Sequence, residues 1–286
     1  MEFLYTIISI FEYLGDRMKE RLDIILVQDG YFDTREKAKR AIMAGIVLVD
    51  DKKIDKAGTI INLDKNPQIR IKGEKLKYVS RGGLKLEKAI NIFNIDFLGK
   101  RVLDIGASTG GFTDCALQNE AKYIYAVDVG TNQLAYTLRE NEKVKSIENM
   151  HIKNLTLENL DNEKVDIIVM DVSFISITKI IPDLKNFLKD TGEMMILIKP
   201  QFEVGKEGID KGGIVKDLKK HKNVIEEIIK FTQSYGFYLK GLSVSPITGT
   251  KGNIEYISYF INEEIYDTIK LDEIIEQARV LREENK

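Results

Sequence analysis

The chain has 286 residues, with 43 Lys and Arg against 45 Asp and Glu, a formal net charge of −2 and 43% apolar residues. These values suit a soluble globular protein long enough for two domains with a real core. One cysteine, Cys115, and two histidines, His151 and His221, exclude an internal disulfide and argue against a Cys- or His-built metal centre. No metal is expected, and the composition reads as reduced cytosol.

Residues 1–17 read as an extension. The apolar run Phe3 to Phe11 is far shorter than the roughly 20 residues a spanning helix needs, and it lacks the basic region of a signal peptide. Gly15-Asp16-Arg17 before Met18 fits a purine-rich ribosome-binding site, which would make Met18 the start; intact-mass measurement tests this. The charge is uneven: residues 18–80 carry a balance of +4, residues 81–286 one of −4, and residues 1–17 the remaining −2. A basic module on a mildly acidic body marks where a polyanion would dock first.

Within residues 18–80, Arg21 to Gly30 predicts a short helix with Leu22, Ile25 and Leu26 on one face and Gly30 as its cap. Asp33 with Glu36 predicts a capping box opening a second helix, which buries Ala38, Ala41 and Ile42 and turns Arg35, Lys39 and Arg40 outward. Gly45 ends it. Ile46 to Val49, Lys52 to Ile54 and Gln68 to Ile71 predict strands. Arg21-Leu-Asp, Thr34-Arg-Glu-Lys-Ala-Lys-Arg-Ala-Ile42 and Gly45-Ile-Val-Leu-Val49 resemble the S4 RNA-binding domain. A capped helix start bearing Arg35, Lys39 and Arg40 offers donors and positive charge to phosphates, and Arg21 and Arg81 join the expected RNA-binding set.

From Gly99 strands and helices alternate, which implies a parallel sheet covered on both faces. Strands are predicted over Arg101–Ile105, Tyr123–Val127, Val165–Met170, Met194–Ile198, Gly236–Ser243 and Glu255–Ile261. Thr113 to Asn119 begins a helix, and Asp217 to Ser234 forms another. Gly106-Ala107-Ser108-Thr109-Gly110-Gly111-Phe112 is a glycine-rich turn without the dinucleotide GxGxxG spacing. Its glycines admit a ligand close to the backbone, and Asp128, ending the second strand, can accept both ribose hydroxyls of an adenosine. Val129 and Asn149 complete the expected cofactor contacts. An adenosyl cofactor is therefore expected.

Lys85, Asp171, Lys199 and Glu255 stand at strand ends or just ahead of the domain, and Asp171 and Lys199 should face the crevice. Ser80-Arg-Gly-Gly-Leu-Lys85, Leu103-Asp-Ile-Gly-Ala-Ser-Thr-Gly-Gly-Phe112, Met170-Asp-Val-Ser-Phe174, Ile198-Lys-Pro-Gln-Phe-Glu203 and Pro246-Ile-Thr-Gly-Thr-Lys-Gly-Asn-Ile-Glu255 closely resemble the TlyA family. That resemblance implies an α/β fold: a Rossmann-like class I methyltransferase domain over residues 81–265, preceded by a small α+β S4-type domain over 18–80. It implies S-adenosyl-L-methionine as cofactor, cytidine 2′-hydroxyls of ribosomal RNA or ribosomal subunits as substrate, a cytoplasmic setting, and a catalytic tetrad at Lys85, Asp171, Lys199 and Glu255. Lys199, crowded by Lys85 and a sulfonium, is the candidate base, while the two carboxylates favour its charged form. His151 stands where the family often has Asn.

Phe174 and Phe202 are candidates for stacking a flipped base or for the core. Lys206 and Lys211, in a glycine-rich segment, are expected to close over RNA. Residues 266–286 read as a charged amphipathic helix or tail with Ile274, Ile275 and Ala278 on one side. Two other readings are a membrane-active haemolysin, for which no span or strongly basic amphipathic helix is visible, and an RNA-binding protein with an inactive methyltransferase fold. No stable membrane association is expected.

Overall fold

The computed structural model describes residues 19–32, 34–63, 67–72, 77–210, 212–249, 252–265 and 269–284. The predicted extension, Asp33 and Lys211 lie outside them, as does the side chain of Lys206. The chain divides into two compact units, Met1–Lys75 and Leu76–Lys286.

In the first unit, helices α1 (Leu22–Gln28) and α2 (Arg35–Met43) accompany a three-stranded sheet of β2 (Val47–Val49), β3 (Lys52–Lys53) and β5 (Ile69–Ile71). A further pair, β1 (Lys19–Arg21) with β4 (Ile60–Asn62), is antiparallel. Leu22, Ile25 and Leu26 from α1 meet Ala38, Ala41 and Ile42 from α2 over Val47, Val49, Ile61, Ile69 and Ile71. Full burial of such a side chain contributes about 1.5–3 kcal/mol, so these few residues hold the unit. The start of α2 differs from expectation: Thr34 is its cap, accepting from the Lys37 amide at 3.3 Å, and Glu36 pairs with Lys39.

The second unit is built on seven strands: β6 (Arg101–Ile105), β7 (Tyr123–Val127), β8 (Val144–Ile147), β9 (Val165–Met170), β10 (Leu188–Ile198), β11 (Tyr238–Val244) and β12 (Tyr256–Ile261). Their order is β11-β12-β10-β9-β6-β7-β8, all parallel except β12, which runs antiparallel to both neighbours. β10 starts six residues before the predicted strand, with a register irregularity between Leu188 and Glu193 that its polar Lys189 to Gly192 stretch hides.

Period-two alternation sends Leu103, Ile105, Ile168, Met170, Ile196 and Ile198 into one core layer and Val102, Ile167, Val169, Met195 and Leu197 into the other. The second layer is covered by α3 (Gly82–Phe93) through Leu86 and Ala89, and by α4 (Gly111–Gln118) through Phe112, Cys115 and Ala116. The first layer takes Ile181 and Leu184 from α6 (Ile181–Leu184), after the short α5 (Tyr136–Arg139). It also takes Val224, Ile225 and Ile228 from α8 (Leu218–Ser234), which follows the one-turn α7 (Pro200–Glu203). The C-terminal helix α9 (Leu271–Glu284) is part of the same unit: Ile274 and Ala278 are buried in this layer, and Arg282 donates to the Val215 and Lys216 carbonyls.

The chain enters the sheet at β6, builds outward to β8, then crosses back to β9 on the other side of β6. Ligands of such sheets sit outside the carboxyl ends of the strands where this reversal occurs.

Candidate active site

At the reversal, β6 is followed by Gly106 and β9 by Asp171. Gly106 has φ +81°, and a Cβ there would lie 2.6 Å from the Asp171 carbonyl oxygen, so the two strand ends meet backbone to backbone. The Asp171 amide donates to the Ile105 carbonyl at 3.1 Å, which fixes the approach. A second close contact delivers Lys85. A Cβ on Gly111 would stand 2.8 Å from the Gly83 amide nitrogen, so the starts of α3 and α4 abut, with Lys85 one turn along α3.

Four titratable side chains then converge. Lys85 Nζ is 3.2 Å from Asp171 Oδ2 and 2.7 Å from Glu255 Oε2, and Lys199 Nζ is 2.5 Å from Asp171 Oδ1. Glu255 precedes β12, whose antiparallel direction puts its start at the edge where the parallel strands end. Burial works against charge on both Lys85 and Asp171, but their mutual attraction and that of their neighbours outweigh it. Asp171 and Glu255 raise Lys85 above the ordinary lysine range, and Lys85 with Lys199 holds the Asp171 carboxyl down to about 2. Asp171 is thus ionised at neutral pH, with a lysine nitrogen beside each oxygen. The expected crowding of cations is therefore tempered by a carboxylate set between them.

The network continues at each end. Lys199 Nζ also donates to Ser173 Oγ at 2.9 Å, and Gln201 Nε2 approaches Glu255 Oε1 at 3.5 Å. Neither residue stood out in the sequence, although both lie within two positions of a tetrad member. After Ser173 comes Phe174, 79% exposed and at φ +64°, a backbone region that costs a side chain about 1–3 kcal/mol. Glu203 pins this loop, accepting from the Ser176 hydroxyl at 2.6 Å and the Ile177 amide at 3.0 Å. The Phe174 ring packs 5.1 Å from that of Phe202.

Beside the network lies a cleft of about 350 Å³ lined by Gly106, Ser108, Asp128, Val129, Gln133, Met150, His151, Asp171, Ser173 and Phe174, among others. Asp128 is held by its own loop: Oδ2 accepts from the Ser108 amide at 2.8 Å and Oδ1 from the Gly130 amide at 2.7 Å. Each oxygen keeps a second lone pair, so the carboxylate still accepts from a vicinal diol.

Not every expected cofactor residue faces the cleft. Ala107 and Phe112 are buried in separate core clusters, Gly110 packs against Leu134 and Leu138, and the Thr109 carbonyl accepts from the Ala135 amide. The Asn149 amide donates to the Gly130 carbonyl at 2.9 Å, and Met150 and His151 line the cleft instead.

In the first unit, Arg21 and Arg35 converge on one fully buried carboxylate, Asp23. Arg21 donates to both its oxygens at 2.9 and 3.2 Å, and Arg35 to Oδ2 at 2.9 Å. The guanidinium groups outweigh burial and lower the Asp23 carboxyl. Lys39 pairs with Glu36, Arg40 is exposed, and Arg81 is the residue just before α3 in the second unit.

A sheet of this order, with a glycine turn closing its first strand and an aspartate its second, defines the Rossmann-like methyltransferases that bind a nucleoside cofactor. Comparison with known proteins makes the assignment narrower. The chain belongs to the FtsJ-like methyltransferase family, which it matches over residues 78–261, and an S4 domain matches residues 20–65. It is 50% identical to YqxC of Bacillus subtilis, over 84% of each chain. It is 36% identical to the 16S/23S rRNA (cytidine-2′-O)-methyltransferase TlyA of Mycobacterium tuberculosis, over 83% of this chain and 88% of that one. A solved structure from Streptococcus thermophilus that carries a hemolysin name is 42% identical, with a TM-score of 0.82 over 94% of this chain and 98% of that one. Among the described residues no helix is long and apolar enough to cross a membrane.

Proposed function

We propose that this protein transfers the methyl group of S-adenosyl-L-methionine to the 2′-hydroxyl of a cytidine in ribosomal RNA. The observation that carries the reading is the Lys85–Asp171–Lys199–Glu255 network at one end of a nucleoside-sized cleft. The fit to the cofactor is physical: Gly106 lines the cleft with bare backbone, and Asp128 offers a fixed acceptor pair. Bound there, the cofactor supplies an electrophilic methyl on a sulfonium.

The remaining task falls to the protein. A ribose hydroxyl is a weak nucleophile at neutral pH, so it must be held in line and relieved of its proton as the new O–C bond forms. Positioning of this kind supplies roughly 7–11 kcal/mol and proton transfer a further 10²–10⁴-fold. Lys199 Nζ is held between Asp171 Oδ1 and Ser173 Oγ; as the neutral amine it turns its lone pair to the 2′-oxygen, and the proton it gains leaves an ammonium beside the Asp171 carboxylate. Its Nζ is the atom placed to take the departing proton. Lys85, gripped by Asp171 and Glu255, keeps Asp171 in place.

Phe174, exposed and held in a strained turn beside the network, supplies a stacking face for a base swung out of its strand. The S4 domain supplies the phosphate contacts, with Arg21, Arg35, Lys39 and Arg40 as the binding set. A ribosomal substrate implies a cytoplasmic setting. The choice of cytidine is supported by the named activity of the relative from M. tuberculosis.

The test is transfer of tritiated methyl from S-adenosyl-L-methionine to isolated small and large ribosomal subunits, with Lys199→Ala as control. Label on either subunit that vanishes in the variant is expected. No label on subunits or naked rRNA, from protein that binds the cofactor, would overturn the proposal.

A further inference from the structure

We infer that His151 reads the purine ring of the cofactor, presenting its Nε2–H to a ring nitrogen. The inference rests on the cleft holding S-adenosyl-L-methionine, and it adds the residue that recognises the base.

The reacting end of the cleft is fixed by Asp171 and Ser173, both of which touch Lys199. A methyl group bound there sends the nucleoside toward the rest of the cleft, where the polar side chains are Ser108, beside Asp128, then Asp128 itself, Gln133 and His151. Asp128 is an acceptor and suits hydroxyls. Two backbone donors there are already engaged: the Asn149 amide donates to the Gly130 carbonyl and the Met150 amide to the Asp128 carbonyl, both at 2.9 Å. Gln133 folds back on its own turn, its Nε2 lying 2.1 Å from where a Cβ on Gly130 would sit.

His151 is differently placed. Its Nδ1 accepts from the Lys153 amide at 3.2 Å, capping the 3₁₀ turn Ile152–Asn154. A neutral imidazole whose Nδ1 accepts carries its hydrogen on Nε2, so the backbone fixes the tautomer. Nε2 has no partner among the described residues, and the ring lines the cleft beside Val129, Met150 and Ile152. These apolar neighbours suit the faces of a flat heterocycle, while a donor at its edge needs an acceptor. A purine offers one at N1, N3 or N7; its exocyclic amine, a donor, cannot pair with Nε2–H.

The experiment is calorimetric binding of S-adenosylhomocysteine and its 1-deaza, 3-deaza and 7-deaza analogues to the full chain at pH 8. Wild type should bind one analogue about tenfold more weakly than the parent, the effect of one lost hydrogen bond, and the other two within about twofold. His151→Ala should bind the parent about tenfold more weakly and be indifferent to the critical deaza position. Wild type that binds the parent but tolerates all three replacements overturns the inference and leaves the proposed function standing, and this panel needs no variant to fold. Parent affinity unchanged in a folded His151→Ala overturns it equally. Failure of wild type to bind the parent at all removes the cofactor reading itself.

Discussion

Gly106→Ala tests whether the junction of β6 and β9 sets the geometry of the network. Gly106 has φ +81°, where an L-residue pays about 1–2 kcal/mol, and its new Cβ would lie 2.6 Å from the Asp171 carbonyl oxygen and 3.2 Å from Val172 Cγ1. A carbon normally approaches such an oxygen to about 3.3–3.6 Å, so the strand ends must part by roughly 0.7–1 Å. The obstacle is the backbone of Asp171, whose amide is bonded to Ile105 and whose side chain is bonded to Lys85 and Lys199, so the carboxylate moves with it. Displacing a reacting group by about 1 Å costs about 10²-fold in rate.

Gly99→Ala is the matched control: φ is +70° there, and nothing lies within 4 Å of the built Cβ. Single-turnover methyl transfer should fall about 100-fold in Gly106→Ala and stay near wild type in Gly99→Ala, while thermal melts show both folded and slightly destabilised. A Gly106→Ala rate within about threefold of wild type would refute the claim that this contact positions Asp171.

Three further outcomes follow from the same geometry. Asp104 is fully buried, and burial pushes its carboxyl up to about 7 against the opposing bond from the Thr113 hydroxyl. Because the folded state then holds this proton more tightly than the unfolded one, stability falls as pH rises from about 4 through 7, by a few kcal/mol at most. Asp104→Asn removes that loss, so calorimetry should show its Tm gaining on wild type between pH 5 and pH 8; a difference that does not change with pH contradicts this. Phe174→Ala should raise the KM for RNA roughly tenfold, from a base-stacking contribution of about 1–3 kcal/mol; an unaltered KM assigns the ring to packing. Arg35→Ala should lower the slope of log affinity for RNA against log salt by about 0.7–0.9, the signature of one lost phosphate contact, and parallel slopes would remove Arg35 from the interface.

Most of the sheet was legible because its central strands are short apolar runs ending in glycine or a charged residue. Arg101–Ile105, Tyr123–Val127 and Val165–Met170 form as expected. The β1–β4 pair escaped notice since its partners are about forty residues apart and Lys19-Glu20-Arg21 has no apolar alternation. The four tetrad residues could be picked out by strand-end position and motif context, and the structure brings them together. Their outer partners Ser173 and Gln201 could not, because a serine or glutamine next to a motif looks like any surface residue until its neighbour is known. Asp23 was hidden for the same reason: nothing local marks it as a fully buried acid shared by two arginines.

The central claim is that a cytidine 2′-oxygen receives the methyl group, and the most direct measurement is mass spectrometry of nucleosides digested from ribosomal RNA after incubation with the protein and S-adenosyl-L-methionine. The account predicts 2′-O-methylcytidine as the new product, absent with Lys199→Ala. A methyl group carried on the base, on another nucleoside or on ribosomal protein would contradict it.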